Sequence, residues 1–493
     1  MDFVARVLSF LEYTIVLGVV GGIIIVAILY VIDVTQTSHA IRRNFPVVGR
    51  FRYFFEDMGE FFRQYFFAMD REEMPFNRAE RSWAYRAAKG VDSTVAFGST
   101  RDLTRAGTVI FVNCAWPTLD QDAAPTAPVT IGATCRQPYT TDRIFHISAM
   151  SFGAISKPAV QALSNGARMA GCWLNTGEGG LSPYHLEGGA DLVFQIGTAK
   201  YGVRNADGGF DENKLREIAA HEQVRMFELK LSQGAKPGKG GILPGAKVTK
   251  EIAAIRGIPA GEDSISPNRF PEISSADDLL DCIDYLRDIT GKPCGFKTVV
   301  GAYGWLEEVF NKARERGAGP DFITVDSGDG GSGAAPMPLI DNVGLPIRES
   351  LPIVLDILHR TGMRDRVKVI ASGKLINPSQ VAGVLCYGAD FVATARGFMF
   401  ALGCIQAMKC NRNTCPTGVT THDKRLQRGL VPANKAVRVM RYQQAIESEV
   451  GMIAHSCGVP EPRRLRRMHC RIVQSDGRSI PLDEIYPDAT APL

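Results

Sequence analysis

The sequence has little excess charge of either sign. Its 493 residues carry 56 Lys and Arg against 52 Asp and Glu, a formal charge of +4. That balance excludes a protein held on a polyanion by bulk charge and leaves only local patches for such work. The chain also lacks the composition of a disordered protein, because 45% hydrophobic and 22% charged residues can bury a core. A mean hydropathy of −0.03 excludes a polytopic membrane protein but not a single span. Cysteine is too sparse for a small disulfide scaffold, with 11 in the whole chain, most of them single. No Gly-x-Gly-x-x-Gly follows the first strand-like run, which weighs against an open dinucleotide-binding sheet. Glycine, by contrast, is plentiful: 50 residues without a collagen period point to tight turns and close backbone–ligand contacts.

The length allows about three domains, or one large barrel with additions. Near the N-terminus, Tyr13 to Ile32 runs uncharged between Glu12 and Asp33. At about 1.5 Å per residue it covers about 30 Å, the thickness of a bilayer's hydrocarbon core. A transmembrane helix is the favoured reading. A cleaved signal peptide fits less well, since Asp2 and Glu12 outnumber Arg6 and the run is long; a buried soluble helix is the third reading. Arg42, Arg43, Arg50 and Arg52 follow the span and only Arg6 precedes it. The expectation is a single-pass protein of the cell membrane with its body in the cytoplasm, where a reducing medium suits free cysteines and metal thiolates. Residues 51–68 are rich in aromatics, from Phe51, Tyr53, Phe54 and Phe55 to Tyr65, Phe66 and Phe67. They suit an interfacial helix against lipid headgroups or an amphipathic helix packed on the soluble body.

From about residue 143 short apolar runs alternate with helical patterns. Strands are expected at Arg143–Met150, Cys172–Glu178, Asp191–Thr198, Arg225–Ser232, Pro293–Gly301, Asp321–Asp329, Val367–Gly373 and Asp390–Gly397. Helices are expected at Pro158–Met169, Asp211–His221, Ala276–Thr290, Gly304–Arg316, Ser350–Thr361 and Pro378–Cys386. The β-runs are apolar throughout, as in a parallel sheet buried on both faces, and eight such units match an α/β (β/α)8 barrel. The expected divisions are 1–32 for the N-terminus and span, 33–95 for a juxtamembrane segment, 96–432 for the barrel, and 433–493 for a C-terminal helix and tail.

Barrel chemistry sits at the C-terminal strand ends. Those ends are rich in glycine and in small polar or charged residues: Ser148–Gly153, Asn175–Gly180, Gln195–Thr198, Lys230–Gly234, Asp326–Gly333, Ser372–Lys374 and Thr394–Gly397. The loops after strands seven and eight pair a cation with a glycine (Ser372-Gly373-Lys374 and Ala395-Arg396-Gly397), which suits a phosphate-bearing cofactor. Tight turns alone would also use these glycines. Lys230 and Lys297 each end an apolar strand, so each needs a substrate or cofactor anion, or a salt bridge in the barrel mouth. The long segment from Gln233 to about Glu272 carries Lys236 and Lys239 between glycines; it is a candidate lid for an anionic substrate, or a solvated surface loop.

Cys404, Cys410 and Cys415, the last followed by Pro416, lie just after the eighth strand. Three thiolates at this spacing point to a metal site, and a proline after the last cysteine recurs in iron–sulfur motifs. Zinc would want four ligands at tighter spacing. The spacing leaves open a three-iron cluster, or a four-iron cluster with Cys386 or Cys457 as a distant ligand.

These stretches together resemble the FMN-binding synthase domain of glutamate synthases. The resemblance rests on Ser-Ala-Met-Ser-Phe-Gly-Ala-Ile-Ser (148–156), Asn-Thr-Gly-Glu-Gly-Gly (175–180), Lys-Leu-Ser-Gln-Gly-Ala-Lys-Pro-Gly (230–238), Asp-Gly-Gly-Ser-Gly-Ala-Ala-Pro (329–336) and the cysteine stretch 403–419. It runs from about residue 100 to 460 and suits the short, membrane-anchored members of the family. It implies an FMN at the barrel mouth, with candidate contacts Ala149, Met150, Ser151, Asn175, Thr176, Gln195, Lys297, Gly328, Gly330, Gly331, Gly333, Ser372, Gly373, Arg396 and Gly397. It implies a [3Fe-4S] cluster on Cys404, Cys410 and Cys415, and places Lys230, Gln233, Lys236 and Lys297 in catalysis near the flavin and the 2-oxoglutarate carboxylates. The implied reaction forms L-glutamate from 2-oxoglutarate and ammonia, by way of 2-iminoglutarate and reduced FMN. Electrons would come from ferredoxin or a reductase subunit.

The resemblance is incomplete at three motifs. Ser266-Pro267-Asn268-Arg269-Phe270 lacks the family's His pair, Lys297-Thr298-Val299-Val300-Gly301 lacks its Glu, and Ala371-Ser372-Gly373 lacks its aspartate. A membrane span stands where the family carries a glutaminase domain, so ammonia is expected from solution or from a separate glutaminase partner. A related flavin enzyme acting on another amine, such as an N-alkylglutamate synthase, and a membrane electron-transfer protein are the competing readings. No nucleic-acid partner is expected: the arginines at 463, 464, 466 and 467 read as a solvated face.

Overall fold

The computed structural model describes residues 2–487, which fall into two compact units that divide between Glu80 and Arg81. In the first, one helix runs over Asp2–Thr35 and includes the whole expected span. Its stretch Phe3–Thr35 is long and apolar enough to cross a membrane, and its most apolar 18-residue window has no buried residue. Asp33, at the polar end of this run, is enclosed by its own neighbours. Arg42 Nε and Arg50 Nη2 donate to Oδ1 at 3.0 and 2.8 Å, while Arg50 Nε and the Val47 amide donate to Oδ2 at 2.8 and 3.0 Å. Two of the four arginines after the span therefore close the helix end. The aromatic segment folds as a helix over Gly49–Phe62 and a wider π-type turn over Arg63–Phe67. Phe51, Phe54, Phe55, Phe61, Phe66 and Phe67 leave their rings exposed.

The second unit holds a closed barrel of eight parallel strands. They are β1 (Phe145–Ile147), β2 (Leu174–Asn175), β3 (Leu192–Ile196), β4 (Val224–Lys230), β5 (Cys294–Val299), β6 (Phe322–Asp326), β7 (Lys368–Ser372) and β8 (Phe391–Thr394). Each pairs with its successor, and β8 returns to β1 through Val392–Phe145 and Thr394–Ile147. All eight lie inside the expected runs, except that β4 begins one residue earlier. Helices form where cap signals bracket an apolar stripe. Lys157–Ala170 starts on the Ser156 hydroxyl and stops at Gly171, and Ala276–Thr290 starts on Ser275 and stops at Gly291.

The hairpin Val129–Ile131/Tyr139–Thr141 closes the bottom of the barrel. Its Ile131 and Tyr139 pack with Trp173, Val193, Met226, Phe322, Ile370 and Phe391, each buried side chain contributing about 2 kcal/mol. The helix Pro432–Ser456 packs on Lys157–Ala170 so closely that a Cβ at Gly166 would lie 2.5 Å from Val439. Beyond it, Cys470–Val473 pairs antiparallel with Val109–Phe111, joining the tail of this unit to its beginning. The long segment 233–272 is partly ordered by a short antiparallel pair, Ile242–Leu243 with Ser264–Ile265, and by the helix Lys250–Arg256.

Candidate active site

The upper barrel interior is polar, although the strands read as apolar throughout. Glu228, pointing inward from β4, is 2% exposed and accepts from Asn175 Nδ2 at 2.8 Å, Gln195 Nε2 at 2.7 Å and Thr324 Oγ1 at 2.6 Å. Such satisfaction is what a buried carboxylate requires. Asn175 spends its other end on the Gly177 amide at 3.0 Å, which fixes the turn after β2. Gly177 has φ +66°, and a Cβ there would lie 2.6 Å from the Ser151 amide nitrogen, so only glycine fits.

Above this layer opens a cleft of about 1030 Å³, open solvent included. Of the expected site residues, Ala149, Met150, Ser151, Gln195, Lys230, Gln233, Lys236, Lys297, Gly331, Gly333, Arg396 and Cys410 line it together. They come from five strand ends and two loops far apart in the chain. Asn175, Thr176, Gly328, Gly330, Ser372, Gly373 and Gly397 do not line it. Asn175 sits one layer below, as described, and several of the glycines serve packing. A Cβ on Gly328 would meet the Gly344 carbonyl oxygen at 2.3 Å, one on Gly373 (φ +102°) would meet Ser327 Cβ at 2.6 Å, and one on Gly397 would meet Tyr442 Oη at 2.0 Å.

Two ion pairs stand in the mouth. Lys230 Nζ lies 2.8 Å from Glu178 Oε1, and Lys297 Nζ lies 3.1 Å from Asp326 Oδ2. Lys297 is the fourth of the six residues of β5 rather than its last. Asp326 also accepts from the Gly234 amide at 2.8 Å, anchoring the start of the long loop. Burial alone would raise the Glu178 carboxyl, but Lys230, Lys236 and Arg256 together hold it below its usual value. Lys236 is buried, and burial with repulsion from Lys230 lowers its amine to about 8 against the opposing pull of Glu178. Lys239, three residues on, is exposed. Arg256, from the helix in the long segment, lines the mouth and has a buried Nε with no partner among the described residues. An unpaired guanidinium N–H beside a cleft suits an anionic ligand.

The sequence reading missed Glu178, Glu228, Asp326, Lys247 and Arg256 as site residues. Glu178 stood inside a quoted motif, and its sign opposite Lys230 was the available signal. Lys247 and Arg256 had none, because only the fold of the long segment brings them inward.

The cysteine loop borders the cleft. Arg396 Nη1 donates to Cys410 Sγ at 3.8 Å, and Lys247 Nζ donates to the carbonyls of Ala154 at 2.7 Å and Cys410 at 3.3 Å. Burial lowers Lys247 to about 8, while Cys410 and Cys415 pull the other way. Burial would raise Cys415, yet hydrogen bonds from Thr417 and Thr420 bring it below the usual thiol value; burial raises Cys404 despite Arg396. Gln406, Met408 and Asn413 all take left-handed backbone, strain that packing must sustain and that gathers at ligand-holding loops. Among the described residues no three His, Cys, Asp or Glu side chains converge on the position of a single metal ion. An iron–sulfur cluster sets its ligands around its own sulfides rather than at one point; the donors around Cys415 favour a thiolate, while the burial of Cys404 opposes one.

The fold and the mouth define a (β/α)8 barrel protein with a cation-lined cleft beside a thiol loop. A profile of the conserved region in glutamate synthase matches residues 108–460, and the chain belongs to the glutamate synthase family. It is similar to a glutamate synthase large subunit-like protein, YerD, of Bacillus subtilis: 39% identical, over 95% of this chain and 97% of that one. It is 33% identical to an archaeal-type glutamate synthase (NADPH) of Dehalococcoides mccartyi, over 66% of this chain and 62% of that one. The archaeal glutamate synthase (NADPH) of Methanocaldococcus jannaschii is 32% identical, over 65% of this chain and 60% of that one. The chain thus spans less than two thirds of these last two relatives. Among solved structures it is similar to the flavin-binding domain of baker's yeast flavocytochrome b2, at 14% identity and TM-score 0.44, covering 84% of each chain.

Proposed function

We propose that the protein is an oxidoreductase that forms L-glutamate from 2-oxoglutarate and ammonia. Ammonia condenses with the keto carbon with loss of water; the resulting C=N bond then takes a hydride at carbon and a proton at nitrogen. The observation that carries this reading is one cleft lined by Lys230, Lys236, Lys297 and Arg256 and bordered by Cys410. The 149–151 turn, Gln195, Lys297 and the 331–333 loop would hold FMN, which would supply the hydride when reduced. Cys404, Cys410 and Cys415 would hold a [3Fe-4S] cluster, which would supply single electrons from a donor such as ferredoxin or a reductase subunit.

The chain's own residues bind and position. Lys230 and Arg256 meet the two carboxylates of the substrate, and Glu178 positions Lys230 through its 2.8 Å ion pair. Lys236, with an amine near 8, exchanges a proton at working pH and serves the imine nitrogen. The apolar helix Asp2–Thr35 spans the membrane, with the exposed rings of Gly49–Phe62 lying in the interface and the barrel in the cytoplasm.

The test is glutamate formation by purified protein given a reduced ferredoxin, 2-oxoglutarate and ammonium. Flavin reduction and reoxidation without glutamate would refute the reaction. N-methylglutamate formed from methylamine in preference to glutamate would reassign the amine.

A further inference from the structure

A second cavity lies at the opposite end of the barrel. Lys368 is the first residue of β7 and Asp390 immediately precedes β8, and both line a cavity of about 1150 Å³, open solvent included. It is one strand length, about 16 Å, from the mouth. Five cations line it, Arg364, Lys368, Arg463, Arg466 and Arg467, against two acids, Asp365 and Asp390.

The pairing within this group is uneven. Arg364 bonds Asp390 at 2.9 Å and Arg467 bonds Asp356 at 3.1 Å. The other three cations rest on carbonyl oxygens, which carry no net charge. Lys368 Nζ donates to the Asp365 carbonyl at 2.5 Å, and Arg466 Nη1 to the carbonyls of Arg463 and Leu465, both at 2.8 Å. Arg463 Nε and Nη2 donate to the carbonyls of Ala127 and Arg143, both at 2.9 Å, and Nη1 to that of Asp390. Arg463 also feels the carboxylates of Asp390, Glu461, Glu447 and Asp142, so the excess positive charge of the pocket lies on Lys368 and Arg466, which favours an anion.

A second observation points to a ligand. Tyr387 lines the same cavity, is 5% exposed, and has a buried Oη with no hydrogen-bond partner among the described residues. A buried phenol without a partner is costly unless something brings an acceptor to it. Burial also raises its ionisation well above the ordinary phenol value, so it remains a donor.

We propose that this basal pocket is a binding site, separate from the mouth, for a small polyanion that Lys368 and Arg466 neutralise and to which Tyr387 Oη donates a hydrogen bond. The shared chemistry is two or more negative charges on a compact acceptor, as in a phosphorylated or a polycarboxylate metabolite.

The test is isothermal titration of the full-length protein in detergent with two probes, inorganic pyrophosphate and citrate. Saturable binding of pyrophosphate but not citrate assigns a phosphate ligand, and the reverse assigns a polycarboxylate. Lys368→Gln and Arg466→Gln should each weaken the productive probe about tenfold, as for loss of a hydrogen bond to a charged group. Tyr387→Phe, which keeps the buried ring, should weaken it several-fold while raising the thermal midpoint of the ligand-free protein, since it removes the unpaired hydroxyl. Arg464→Gln, an exposed arginine outside the cavity beside Glu461, should leave it unchanged. The proposal is overturned if neither probe binds saturably, or if binding survives Lys368→Gln and Tyr387→Phe unaltered, which would place it at the mouth or on the general surface.

Discussion

Substituting Lys236 by methionine should make the protein more stable and less active. The lysine is 5% exposed, and burial with repulsion from Lys230 lowers its amine from 10.5 to about 8, Glu178 opposing. At about 1.4 kcal/mol for each tenfold change in proton affinity, that fall amounts to about 3 kcal/mol disfavouring the charged amine in the folded state. Methionine fills a similar volume without the charge; the pull of Glu178 is already contained in that fall, and the imperfect fit of the new side chain offsets part of the gain. The expected rise in unfolding free energy at pH 7 is about 2 kcal/mol. Its pH dependence has a definite sign. Between about 8 and 10.5 the unfolded chain keeps the proton on Lys236 and the folded one releases it, so this group's contribution to wild-type stability rises with pH in that window. The variant lacks the group, so its advantage should be complete at pH 7 and largely gone by pH 10.5. Urea unfolding of flavin-free protein at both pH values measures this. Saturating 2-oxoglutarate should restore a counter-charge and shrink the advantage at pH 7. A variant less stable than wild type at pH 7, or an advantage that does not change with pH, would refute the reasoning.

Lys297→Met should cost about 3 kcal/mol in urea unfolding, since it leaves the Asp326 carboxylate buried without its cation. Gly397→Ala should lower stability by a similar amount, about 3 kcal/mol, because the new methyl would occupy the position of Tyr442 Oη and displace the helix Pro432–Ser456. Cys410→Ala should abolish stoichiometric iron and the cluster's electron paramagnetic resonance signal while leaving bound flavin; unchanged iron would refute the cluster. The full-length protein should stay in the membrane fraction through alkaline carbonate extraction, and release into the supernatant would refute the span.

The barrel was readable because its strands are short runs buried on both faces and its helices carry explicit ends. Ala276–Thr290 and Gly304–Arg316 fold with the expected limits. The helix expected at Ser350 instead begins at Ile347, with Pro352 accommodated inside it rather than in its first turn. The mouth was readable in its glycines and lysines, because strand ends are where a barrel exposes such residues. Partner choice was not. Lys230 meets Glu178 across two strand ends that only the closed barrel brings together, and the inward turn of Arg256 and Lys247 depends on how a 40-residue segment folds over the barrel, which no local pattern encodes. Glu228 escaped notice for a related reason: one carboxylate in an apolar strand looks like noise until three donors from neighbouring strands converge on it.

That convergence also constrains what can enter. Glu228 accepts only, so it turns the amide nitrogens of Asn175 and Gln195 inward. The two amides lose their rotational ambiguity, and the Gln195 carbonyl oxygen is left facing the cleft. The floor of the mouth therefore has a fixed polarity, amid walls that are rich in donors. A ligand that presents an N–H or O–H at its deepest edge is favoured there, while a purely acceptor-bearing anion is held instead by the cations of the walls.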